Sequence, residues 1–161
     1  MRGLKPLFAI AVAALTIGGA EAQDGRKTPY WASVSAGQAL MRTGPGRNYP
    51  ATWLYQRADL PVKVVETYPD WRKVQDPGGE TGWMLQRLLS DTRTAIVTAG
   101  EPAPMHESAD PASRIAFLAE SGVVGRISRC DAGWCRFEVG GRKGHIRTER
   151  VWGVDARETL D

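Results

Sequence analysis

Histidine and cysteine are scarce in this sequence, two of each in 161 residues: His106, His145 and the pair Cys130 and Cys135. A zinc site wants three or four ligands set close together, and a serine or cysteine hydrolase wants a nucleophile with a positioned base. Neither set is assembled by any motif here, the carboxylates are scattered, and no metal or cofactor is expected. A dominant charge is also lacking. Lys and Arg number 21 against 18 Asp and Glu, interleaved along the chain. That leaves no basic stripe able to neutralise many phosphates, so nucleic acid is not an expected partner. The small positive excess favours at most weak attraction to anionic surfaces.

Long apolar runs are missing too, apart from Leu7 to Ile17, which follows Arg2 and Lys5 and leads to Ala20-Glu21-Ala22. A run of about eleven residues is too short for a hydrocarbon core that needs about twenty, and basic residues before it with small residues after it form a secretory signal pattern. Residues 1–22 are therefore expected to be a signal peptide cleaved before Gln23. The alternative is a retained N-terminal anchor, although no lipidation cysteine follows the run. With the signal removed, 19 basic and 17 acidic residues leave a net charge of +2 and no transmembrane segment. The expected location is the periplasm or the exterior.

What the remaining chain has is a weak internal repeat, at a period of about 63 residues. Met41 matches Met105, Trp71-Arg72-Lys73-Val74 matches Trp134-Cys135-Arg136-Phe137, and the block Gly78 to Met84 matches Gly140 to Ile146. Within a copy, Pro61 to Glu66 and Arg72 to Gln75 are short and rich in β-branched residues, with Tyr68-Pro69-Asp70 between them, and read as a hairpin. Asp76-Pro77-Gly78-Gly79 supplies the next reversal, before a strand from Thr81 to Met84. Such spacing predicts a small barrel or sandwich. One stretch competes: Asp110-Pro111, followed by apolar Ile115, Phe117 and Leu118, has the local signs of a helix start. The repeat places Ile115 to Ala119 on Ala51 to Tyr55 and predicts a strand. The expected cores are Leu40, Val62, Val64, Val74, Met84 and Leu88 in the first copy, and Val124, Ile127, Phe137, Ile146 and Val151 in the second.

The segment Ala39-Leu40-Met41-Arg42-Thr43-Gly44-Pro45-Gly46-Arg47-Asn48-Tyr49-Pro50 resembles the opening signature of bacterial SH3-like domains, and Asp70-Trp71-Arg72-Lys73-Val74 and Gly82-Trp83-Met84 follow it in the family's order. The second copy keeps the Trp134 and Gly144 blocks but has Met105-His106-Glu107-Ser108 where the Gly-Pro-Gly loop should be. The pair is similar to exported proteobacterial proteins with two such domains. The resemblance implies an all-β chain of two tandem SH3-like barrels: a linker at 23–29, domains at 30–91 and 92–154, and a tail at 155–161. Gly44 and Gly46 around Pro45 suit a sharp excursion between strands, and Gly82 lets another strand pack over its face.

Cys130 and Cys135 flank a four-residue turn, and an even pair so spaced in an exported chain is expected to form a disulfide. A redox-active pair is the alternative, with neighbouring Asp131 acting to raise a thiol pKa. The expected function is non-catalytic: binding or scaffolding on a cell-envelope ligand, namely peptidoglycan, a peptide or an envelope protein. The alternative is an enzyme, a thiol oxidoreductase or a cell-wall hydrolase acting through Cys130 or Cys135. Aromatics concentrate in or just before the first copy, where all four tyrosines lie together with Trp53, Trp71 and Trp83. They suit either an exposed patch for sugar rings or extended peptides, or packing between the copies. The candidate ligand-binding residues are Arg42, Tyr49, Tyr68, Trp71 and Trp83. The second copy has His106, Ser113 and His145 in place of Arg42, Tyr49 and Trp83. The Asp70-Trp71 and Gly82-Trp83 blocks also resemble eukaryotic SH3 domains, but Leu85 and Leu88 replace that family's groove-lining proline and tyrosine, which argues against polyproline as ligand.

Overall fold

The computed structural model describes residues 26–98 and 100–161; the expected signal peptide and its cleavage site lie outside the described residues. Short β-branched and aromatic runs, broken by Gly, Pro and Asp, give strands and no α-helix among the described residues. The first copy consists of β1 (Tyr30–Val34), β2 (Ala39–Arg42), β3 (Ala51–Tyr55), β4 (Pro61–Tyr68), β5 (Trp71–Gln75), β6 (Thr81–Leu85) and β7 (Leu89–Ser90). The second consists of β8 (Thr94–Val97), β9 (Ala103–His106), β10 (Ile115–Ala119), β11 (Val124–Asp131), β12 (Trp134–Val139), β13 (Arg142–Arg147) and β14 (Val151–Trp152). The strand orders are β3-β2-β6-β5-β4-β1-β7 and β10-β9-β13-β12-β11-β8-β14, so the second sheet repeats the first strand for strand. A 3-10 turn, Gln86–Leu88 or Thr148–Arg150, precedes the last strand of each. The all-β architecture of two tandem units expected from the repeat is the one the chain forms.

Ile115 to Ala119 is a strand, and the helix signal before it resolves into a turn. The Asp110 carboxylate accepts the Ala112 N–H at 2.8 Å, and the Asp110 carbonyl accepts the Ser113 N–H at 3.1 Å. Pairing with β9 outweighs the local preference.

Each copy buries one face of its sheet. Val34, Met41, Val62, Val64, Val74 and Met84 are sealed in the first core, and Met105, Phe137 and Ile146 with both cysteines in the second. Leu40 departs from expectation. It is 38 % exposed, because strand alternation turns Ala39 and Met41 inward and Leu40 outward. Val124 and Leu88 are only half-buried. Gly82 acts as anticipated: a Cβ there would lie 2.5 Å from Met41 Cγ and 2.8 Å from the Arg42 carbonyl oxygen, so its bareness lets β2 cross β6. Gly144 does the same beneath Met105.

The copies hold their matching hairpins differently. Ala132 and Gly133 both take positive φ, +46° and +81°, making the two-residue reversal beside which Cys130 and Cys135 are joined in a buried disulfide. In the first copy Arg72 occupies the place of Cys135 and is 2 % exposed. Its guanidinium donates to the carbonyls of Tyr68 (3.0 Å) and Trp71 (2.9 Å) and to the Tyr30 hydroxyl (3.2 Å). Hydrogen bonds thus do there what a covalent link does in the second copy.

The copies meet through Trp31, which packs edge-on against Trp152 at 4.8 Å and donates its indole N–H to Asp155 at 3.2 Å, while Lys63 lies over its ring. Residues 155–161 are tied down. The Leu160 N–H bonds the Cys130 carbonyl, and Glu158 pairs with Arg93, which also donates to the Gly153 carbonyl. Burial alone would raise the Glu158 pKa, but the bonds from Arg93 and the Asp155 N–H outweigh it and hold the carboxyl below its ordinary value.

Candidate functional site

Residues opposed across antiparallel strands point to the same face, so the register maps the outer face of the first copy. One row runs Arg42, Trp83, Lys73, Glu66; the next contains Leu85, Trp71 and Tyr68. Alongside the second row lies a groove made of two adjoining hollows of about 660 and 340 Å³, which share Arg47, Trp71, Leu85 and Arg87. The loop after β2 contributes Arg47 and the 3-10 turn contributes Arg87. Asp70 stands at one end, and Leu40 and Leu54, projecting outward from β2 and β3, form the other. Neither the Arg47 nor the Arg87 guanidinium has a hydrogen-bond or ion-pair partner among the described residues.

Of the residues singled out from sequence, Arg42 and Trp71 line this groove. Trp71 is only 7 % exposed, a floor rather than a platform. Trp83, 8 % exposed, lies outside the groove lining, under Tyr68 (edge-on, 6.3 Å) and beside Lys73. Tyr68, 55 % exposed, and Tyr49, 42 % exposed, flank the face without entering the groove lining. Gly44 and Gly46 form the sharp excursion after β2 without entering the left-handed region. The Tyr49 ring lies where a Gly44 Cβ would be, and a Cβ on Gly46 would meet Asn48 Oδ1 at 2.6 Å and the same ring at 3.2 Å. Arg42 then ties the loop down by donating to the Tyr49 carbonyl at 2.7 Å. Below the groove, Tyr55 donates to Asp76 at 2.8 Å. Burial first, and that carboxylate second, push the Tyr55 hydroxyl pKa upward, so it stays protonated.

The model of the bacterial SH3 domain matches residues 35–91 and again 99–153, more than half of the chain. The chain belongs to the bacterial SH3 domain family. Similar solved structures include NlpC2 from Trichomonas vaginalis, at 16 % identity and TM-score 0.35, covering 79 % of this chain and 49 % of that one. NlpC1 from the same organism matches at 15 % and 0.34, covering 81 % and 48 %, and an NlpC/P60 family protein from Bacillus cereus at 13 % and 0.35, covering 76 % and 56 %. The chain thus spans about half the length of these proteins. Curated proteins give no match.

The two SH3 domains treat the equivalent surface in opposite ways. Trp134 opposes Arg147 as Trp71 opposes Leu85, and the Arg147 guanidinium sits 4.4 Å above the Trp134 ring. His106 closes on the same ring edge-on at 5.2 Å and contacts the Ser113 carbonyl through Nδ1, taking the loop-holding place of Arg42. In the middle of the 3-10 turn, Arg87 of the first SH3 domain becomes Glu149 in the second. Arg47 and Arg87 are not among the candidate ligand-binding residues read from the sequence, and Leu85 enters there only as a departure from the eukaryotic groove, because a loop, a strand end and a turn are brought together here by the barrel alone.

Proposed function

We propose that the chain is a non-catalytic binding module of the cell envelope, and that the groove of the first SH3 domain is its binding site for cell-wall material or an envelope peptide or protein. The observation that carries this is the contrast between the Trp71 groove, which no side chain fills, and its counterpart at Trp134, which Arg147 covers. Membership of the bacterial SH3 family supports a binding role, and a disulfide supports an exported location. A thiol-based enzyme is disfavoured, since both cysteines are bonded to one another and buried.

Sedimentation of the purified protein with peptidoglycan sacculi, beside a pull-down from envelope extract, tests the reading. Leu85→Arg transfers the arginine of the second domain into the groove and should abolish binding, whereas Ser113→Ala and His145→Ala should leave it unchanged. No binding to either preparation by the wild type would overturn the module reading. Unimpaired binding by Leu85→Arg would move the site elsewhere.

A further inference from the structure

The groove's own chemistry narrows what it can hold. Its floor is aliphatic and aromatic, Leu40, Leu85 and Trp71, and its rim carries Arg42, Arg47 and Arg87 against the single acid Asp70. Arg42 is engaged with the Tyr49 carbonyl, which leaves Arg47 and Arg87 as two guanidinium groups lining one cleft without a partner among the described residues. Guanidinium forks match carboxylates, and pairing there would engage donors that no described residue engages.

We infer that the ligand of this groove is an extended acidic peptide, with a carboxylate held between Arg47 and Arg87 and alternate apolar side chains on Trp71, Leu85 and Leu40; this rests on the groove being the binding site. Three features favour that occupant. An extended chain sends successive side chains to opposite sides, so alternating acidic and apolar residues present one kind to the rim and the other to the floor. A sugar ring would want an open aromatic plane, and Trp71 shows only a sliver of its surface. A nucleic acid would want many cations in a track, whereas here two unpaired arginines stand near an aspartate. The second domain supplies the converse: Glu149 replaces Arg87, and Arg147 rather than an apolar residue covers the tryptophan, so an acidic segment meets repulsion and a filled cleft.

The test uses the full chain and three acetylated, amidated pentapeptides: Leu-Glu-Leu-Glu-Leu, its glutamine counterpart and its lysine counterpart, titrated by calorimetry at low salt. The acidic peptide should bind about tenfold or more tighter than the glutamine peptide, a gap of about 1.4 kcal/mol, and weaken as salt rises. The lysine peptide should not bind. The double variant Arg47→Gln with Arg87→Gln, whose native side chains make no bond among the described residues, should keep the wild-type circular dichroism and lose the preference for acid. Equal binding of the glutamine or lysine peptide, binding of none, or a preference that survives in the double variant would each overturn the inference. If the protein then still sediments with sacculi and Leu85→Arg abolishes that, only the acidic-peptide reading falls. If the wild type binds neither sacculi nor any peptide, the module reading falls with it.

Discussion

Adding one methyl group at Gly82 tests the crossing of β2 over β6, on which both the first core and the groove depend. The new Cβ would stand 2.5 Å from Met41 Cγ and 2.8 Å from the Arg42 carbonyl oxygen. Met41 is fully buried, so its side chain has no free volume to enter, and the carbonyl belongs to a paired strand. The strands must part by several tenths of an ångström. Overpacking of this kind costs about 1–3 kcal/mol, and replacing glycine by alanine within a strand returns about 0.5–1 kcal/mol. The net expectation for Gly82→Ala is a loss of about 1–2 kcal/mol, which for a unit of this size lowers the melting temperature by roughly 5–15 °C. Gly37→Ala is the matched control, since a Cβ there meets nothing within 4 Å, and it should stay within about 0.5 kcal/mol of wild type. Thermal melts followed by circular dichroism decide the matter. If Gly82→Ala melts with Gly37→Ala, the close approach of β2 is not what the glycine is for.

Two further outcomes concern the second domain. Glu158→Gln should lower stability at pH 7 by about 1–2 kcal/mol, because Arg93 keeps its half-buried charge without a carboxylate. The Glu158 pKa is depressed on folding, so its advantage over glutamine is complete above the unfolded value near 4.5 and disappears as pH falls through the folded value; urea midpoints at pH 7 and in acid should show the gap closing, and a constant gap would refute the pairing. Reducing the Cys130–Cys135 bond, which closes a loop of sequence separation 5, should cost about 2 kcal/mol by loop entropy, read as a lower denaturant midpoint in reductant; an unchanged midpoint would make the disulfide thermodynamically idle.

The repeat was the most legible feature of the sequence because tandem copies share backbone demands at fixed places: a glycine where strands cross (Gly82, Gly144), a tryptophan opening the fifth strand of each sheet (Trp71, Trp134) and a methionine inside the second (Met41, Met105). That periodicity also decided β10 correctly against a local helix signal. Residue type alone misled at Leu40, where neighbouring Ala39 and Met41 already set which side faces in. At Gly44 residue type pointed to a sharp loop, and the structure adds that the absent Cβ makes room for the Tyr49 ring. The groove was illegible for a different reason: Arg47 and Arg87 are joined by no spacing rule, and their convergence follows from the sheet order β2-β6-β5 together with the turn after β6.

The same comparison bears on why two copies are joined. An open groove has a cost, since it keeps Leu40 exposed and leaves two guanidiniums without a partner among the described residues, neither of which stabilises the free protein. The first SH3 domain bears that cost without a covalent staple, closing its hairpin with the hydrogen bonds of Arg72. The second is reinforced by a disulfide and by Arg147 laid over Trp134 at positions equivalent to Arg72 and Leu85, and in addition by the Arg93–Glu158 pair and an anchored C-terminal segment. Contact runs through Trp31, whose burial against Trp152 and whose bond to Asp155 are worth about 2–4 kcal/mol. A domain of about 60 residues has little margin of its own. Docking it on a reinforced sister therefore lets the first copy keep its groove open, as the proposed binding role requires, and all four tyrosines lie in that copy while the cations are shared by both.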